Sequence, residues 1–225
     1  MRILFDQGTP VPLRRFLTDH DVATAYGRLV TSLRHPPPLC AHPIASVTLV
    51  RLADARAELF QLGDCPAFVV GEDSRARRAT INKANPRAAE SATRVEAAQA
   101  AVGHSAKAVW ADLLPSLQRE REALLGASPM RASAPIAGAA FAGYSASFDL
   151  PGVGAVALMS DGYERFSAIY RLGDDARMGT RTLAEGPERL LAELRAAEAG
   201  DPDCRRYPRL KPSDDATCLV IGMGA

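Results

Sequence analysis

The stretch Ala155-Val156-Ala157-Leu158-Met159, framed by Gly154 and Gly162, constrains this chain more than any other part of it. An unbroken apolar run of this length, bounded by glycines, reads as a buried strand. The run stops at Ser160-Asp161-Gly162. A carboxylate at that point sits where a sheet ends and where solvent or an ion reaches it. The glycine after it lets the backbone turn with positive φ and leaves room beside the carboxylate. Asp-Gly is also a common turn dipeptide, so alone the motif says only that a strand ends.

Two other stretches repeat the pattern. Leu59-Phe60-Gln61-Leu62 runs into Gly63-Asp64, and Ser213-Asp214-Asp215-Ala216-Thr217 leads into Cys218-Leu219-Val220-Ile221. Three carboxylates therefore stand at strand ends, each beside Gly or Ser and none with an obvious basic partner nearby in sequence. Hard divalent cations such as Mg²⁺ and Mn²⁺ take oxygen ligands and keep several waters. A sheet can bring such ligands together from distant positions.

In this order, Gly63-Asp64, Ser160-Asp161-Gly162 and Asp214-Asp215-Ala216-Thr217 resemble the motifs of the metal-dependent (type 2C) protein phosphatases, over about residues 45 to 225. The departures are Cys65 for the usual Ser, Pro66 for Arg and Asp215 for Asn. The resemblance implies an α+β fold, a four-layer α-β-β-α sandwich of two antiparallel sheets. It implies a serine/threonine phosphatase using a Mg²⁺- or Mn²⁺-activated water, with Asp161 and Asp214 as core ligands and Asp64 beside a weaker metal position. The early arginine, the acidic pair and the Asp-Gly-His-Gly-Gly-like turn of that family do not stand here in family form, so the fold is expected to be incomplete at its N-terminus.

The opening residues resemble something else. Met1 to Leu17, with His20-Asp21-Val22 and Thr24-Ala25-Tyr26, look like the start of PIN-like toxin proteins, metal-dependent nucleases in which Asp6 would be the first acidic residue. The later acidic motifs of that family are absent, so nuclease activity is not expected. Residues 1–34 are expected as a strand-helix segment and residues 44–225 as the phosphatase-like domain, joined at His35-Pro36-Pro37-Pro38, where the prolines exclude helix. Asp6-Gln7-Gly8, a strand-end aspartate followed by a turn, is a candidate replacement for the missing Asp-Gly turn and a fourth metal ligand.

Composition narrows the partners. With 27 basic and 26 acidic residues the net charge is +1, which offers no general attraction to nucleic acid or membrane surfaces. No apolar run approaches the roughly 20 residues of a membrane span. The N-terminus lacks a signal-peptide core, and the four cysteines have no zinc spacing, so reduced thiols in a bacterial cytoplasm are expected.

Along the rest of the chain, 46–52, 57–62 and 67–70 read as a β-meander, and 72–86 as a polar, basic connector. Residues 87–127 read as two helices broken near Gly103, covering a sheet face. Residues 128–150 read as a loop and one or two strands. A helix is expected over 163–170, a turn at 173–175 and a second helix over 186–199. The basic loop 201–212 offers Arg205, Arg206 and Arg209 to a phosphorylated protein substrate, since guanidinium groups suit phosphate. The competing class is a non-catalytic phosphatase-like binding or regulatory module.

Overall fold

The computed structural model describes residues 2–5, 46–53, 56–62, 64–80, 86–127, 144–149 and 152–222. The apolar run forms strand β7 (Val153–Met159). Its side chains alternate between two apolar environments. Val156 and Leu158 pack with Val50, Ala57, Leu59, Ala67 and Val69 between two sheets. Ala157 and Met159 face the other way, into a cluster with Phe68, Tyr163, Phe166, Met178, Leu190 and Leu194. Two-residue periodicity with both faces covered explains why the run shows no polar alternation.

The first sheet has the order β1-β2-β3-β6, with β1 (Arg2–Phe5), β2 (Val47–Ala53), β3 (Arg56–Leu62) and β6 (Tyr144–Asp149). The second has the order β5-β4-β7-β8, with β4 (Ala67–Gly71), β5 (Ala76–Arg78) and β8 (Cys218–Gly222). All pairings are antiparallel among the described residues. Helices α3 (Asp161–Ala168), α4 (Asp175–Glu185) and α5 (Pro187–Ala199) supply the layer over the outer face of the second sheet. Helices α1 (Pro86–Val102) and α2 (Ala106–Ala127) form a pair joined at Gly103, whose φ is +83°. Their small core of Val95, Ala98 and Val109 is joined by Leu113 and by Leu210 of the 201–212 loop. The fold is mixed α+β, with antiparallel sheets and helices, as expected.

Three differences from the expected elements have physical reasons. The meander does not close: β2 and β3 pair, but the chain then crosses to the other sheet at 64–66. The crossover is held by the Cys65 carbonyl, which accepts bonds from Thr48 Oγ1 (2.7 Å) and Gln61 Nε2 (3.2 Å), both buried. The polar connector contains the short strand β5, and Arg78 at its end is nine-tenths buried. Its guanidinium bonds Asp175 (2.7 and 3.0 Å) and pairs with Glu164, and it lies over the Phe68 ring. Helix α4 was not expected, because Gly179 and two threonines dilute its apolar stripe. That glycine is a packing requirement: a Cβ there would lie 2.5 Å from Ala76 Cβ of β5.

The N-terminal strand joins the first sheet as its edge, pairing Phe5 with Val47. Asp6, Gly63, the helix expected within residues 1–34 and the junction at His35-Pro36-Pro37-Pro38 lie outside the described residues.

Because Leu158 is fully buried between the sheets, Leu158→Ala is expected to lower unfolding free energy by about 2–5 kcal/mol. Urea unfolding followed by circular dichroism measures this, and a loss under about 1 kcal/mol would contradict the two-faced packing of β7.

Candidate functional site

Strand pairing places the three carboxylate motifs at one end of the second sheet. Ala67 at the start of β4 opposes Leu158, and Met159 at the end of β7 opposes Cys218 at the start of β8. The bonds continue past the strands: Met159 N–H donates to the Pro66 carbonyl (3.0 Å) and Ser160 N–H to the Thr217 carbonyl (2.9 Å). Asp64, Asp161 and Asp214 therefore leave the sheet at a common rim.

Ser160 fixes that rim. It is fully buried and sits at the N-cap of α3, yet its hydroxyl does not cap the helix. The hydroxyl accepts from Thr217 N–H (3.0 Å) and approaches the Asp215 carbonyl (3.3 Å), so it staples the end of β7 to the lead-in of β8. Asp161 follows in the first turn of α3, where the helix N-terminus favours a negative charge, and its Oδ1 accepts from Gly162 N–H (2.8 Å). Gly162 is pressed against the other motif. A Cβ there would run into the Asp215 carbonyl oxygen, with Asp214 Cβ at 3.2 Å. Close approach of the two turns thus requires glycine at this place.

Asp64 is oriented from the first sheet: Ser46 Oγ donates to its Oδ1 (2.5 Å). Ser46 precedes Val47, the partner of Phe5, so the end of β1 reaches this same side. Glu164, one turn into α3, also borders the rim. Burial pushes its carboxyl above the usual range despite the Arg78 partner, and the charges of Asp175 and Asp64 add to the effect. Glu164 was not singled out in the sequence, and Arg78 was read there only as one of the basic residues of the 72–86 connector. Only their meeting across 86 residues makes them a feature.

Asp214 departs from expectation. One carboxylate oxygen pairs with Arg165 of α3 and the other with Lys211, three residues earlier; the Asp214 side chain is 11% exposed and that of Arg165 14%. The sequence suggested no basic partner because Arg165 is 49 positions away and Lys211 looked like part of a solvated loop. The carboxylate oxygens of the rim are the donor type a hard divalent ion takes. Such an ion does not fit the present state of Asp214: among the described residues no group of three or more acidic, histidine or cysteine side chains stands ready to hold a metal.

The basic loop divides. Arg209 is buried, its side chain 1% exposed, and it organises the loop itself. It donates to the Asp201 carboxylate (2.6 Å) and to the carbonyls of Asp201 (2.6 Å), Tyr207 (2.8 Å) and Pro212 (3.1 Å). Asp201 also accepts from the backbone N–H groups of Arg205, Arg206 and Tyr207. Arg205 and Arg206 face solvent. Burial pushes the Asp201 carboxyl up, but these donors together outweigh it and hold the group below its ordinary range. The Cys218 thiol is pushed up to about 12 by burial, and Cys204 is raised for the same reason, which makes neither a nucleophile at neutral pH. Among the described residues no helix is long and apolar enough to cross a membrane.

No family model matches the sequence, and no curated protein matches it. Among solved structures, a bacterial serine phosphatase is similar at 12% identity and a TM-score of 0.47, covering 91% of this chain and 66% of its own. PppA, a regulatory component of a type VI secretion system in Pseudomonas aeruginosa, is similar at 12% identity and a TM-score of 0.47, covering 93% of this chain and 74% of its own. The catalytic domain of the serine/threonine protein phosphatase PstP, solved with two manganese ions, is similar at 15% identity and a TM-score of 0.43, covering 88% of this chain and 66% of its own. This chain spans 61–66% of the length of the first three such structures. The likeness of residues 1–26 to PIN-like toxins has no counterpart among the structures named.

Gly162→Ala is expected to force the two turns apart, lowering the melting temperature by several degrees, about 1–3 kcal/mol in stability. An unchanged melt would contradict the close approach. Asp201→Asn is expected to cost about 3 kcal/mol at pH 7, because it leaves Arg209 buried without its counterion. The Asp201 contribution is complete above about pH 4, the ordinary carboxyl range, and is lost as pH falls through the depressed native value. Unfolding curves of wild type and variant should therefore converge on acidification; parallel curves would contradict the assignment.

Proposed function

We propose that this chain is a phosphatase acting on phosphoserine and phosphothreonine in proteins, dependent on Mg²⁺ or Mn²⁺, whether at full or reduced strength. One observation carries the proposal: the Ser160-Asp161-Gly162 turn is fitted against Asp214-Asp215 at the sheet end from which Asp64 also departs. Asp161 and Asp214 are proposed as core ligands and Asp64 as an outer one. Asp6 remains a proposed fourth, supported by the arrival of the β1 end beside Ser46. A divalent ion bound there would neutralise charge on the phosphoryl group and lower the pKa of a bound water.

The protein's own residues have separate tasks. Ser160 and Gly162 hold the two turns in register. Ser46 orients Asp64. Arg205 and Arg206, exposed on the loop shaped by Asp201 and Arg209, would contact a phosphorylated protein chain through their guanidinium groups. Arg209 itself is spent inside the loop and makes no such contact in this proposal. A cytoplasmic setting with reduced thiols remains part of the proposal.

A second function is a non-catalytic phosphatase-like binding or regulatory module, which we propose for the case in which both Asp214 oxygens stay paired with protein cations. With that pairing permanent, the domain would bind phosphorylated protein without hydrolysing it.

Hydrolysis of p-nitrophenyl phosphate by the purified chain with added Mn²⁺ separates the two. Activity that falls about a hundredfold or more in Asp161→Ala supports the enzyme. Absence of hydrolysis together with absence of Mn²⁺ binding supports the binding module and overturns the phosphatase.

A further inference from the structure

The Asp214 carboxylate is held between two cations that differ in their freedom to leave. Lys211 has a side chain 55% exposed, so its ammonium can move into water with little loss. Arg165 is 14% exposed, is anchored on α3, and can leave Asp214 only by taking its charge elsewhere. Arg165 is also incompletely satisfied. Its Nη1 is buried and has no hydrogen-bond partner among the described residues, while Nη2 serves Asp214. A guanidinium with one donor used and one idle is held less firmly than Arg209, all three of whose nitrogens donate.

From this geometry we propose that Arg165 is a built-in competitor for the divalent ion: it occupies Asp214 and must withdraw before a metal can use that carboxylate. The proposal rests on the phosphatase reading given above and adds a regulator to its site. The two charges near Asp214 have the sign of the incoming ion, so binding the ion and keeping the pair are mutually exclusive. Metal affinity is scaled down to the fraction of molecules in which Arg165 leaves Asp214 uncovered. Lys211, nearer the surface, contributes the smaller share. The competition makes Arg165 a positioning residue rather than a catalytic one.

Isothermal titration of the full chain with MnCl₂ tests the proposal without reference to activity. Wild type, Arg165→Met, Lys211→Met and the double variant Arg165→Met/Asp214→Asn are compared, with thermal melts to confirm folding. Arg165→Met is expected to bind Mn²⁺ about tenfold tighter than wild type, Lys211→Met about twofold to threefold tighter, and the double variant to lose the gain. Should Arg165→Met fail to fold, the exposed Lys211→Met decides: affinity unchanged or weakened overturns the proposal. Binding by wild type that is equal or stronger than binding by folded Arg165→Met overturns the competitor and leaves the phosphatase reading standing. Absence of Mn²⁺ binding in every variant overturns both.

Discussion

Burial of β7 on both faces is the constraint on which the rest depends. Val156 and Leu158 fill the space between the sheets, and Ala157 and Met159 fill the space under the helices. A strand so placed has no freedom of register: a shift by one residue would exchange its two faces, and the two cores take different side chains. Fixed register makes the strand a ruler. Its last residue, Met159, sets where Ser160 and Asp161 emerge, and its pairing with β4 and β8 sets which loops meet them.

The rim is built by polar groups that the core can support only because they are satisfied. Ser160 is wholly buried, and its hydroxyl joins two chain segments 57 positions apart. Thr48 and Gln61 do the same for the crossover before β4, through the Cys65 carbonyl. Each bond contributes modestly, but losing one partner would leave another group buried and unpaired, which is costlier than the bond itself is stabilising. Precision at the sheet end thus comes from a few fully used polar groups.

Legibility followed the range of the interactions. The strands over 47–53, 56–62, 67–71, 153–159 and 218–222 were readable because apolar runs and turn residues are local signals, and so was the helix starting at Pro187. Strand order was not readable: 64–66 looks like a hairpin turn, and only the buried bonds to Cys65 send the chain to the other sheet. Helix α4 was hidden because Gly179 serves contact with Ala76, a tertiary demand that lowers the local helical signal. At the site, the order of the acidic motifs was readable and their state was not. The cations on Asp214 and the burial of Arg209 are products of folding.

In the proposed function, Asp64, Asp161 and Asp214 share one cation-binding rim at the end of the second sheet. Paramagnetic broadening of amide signals by substoichiometric Mn²⁺ tests it most directly. Signals from 64–67, 160–163 and 214–217 are expected to broaden together, ahead of those at the opposite end of the sheet around Gly71, Gly154 and Gly222. Broadening centred elsewhere, or spread evenly over exposed acidic residues, would contradict it.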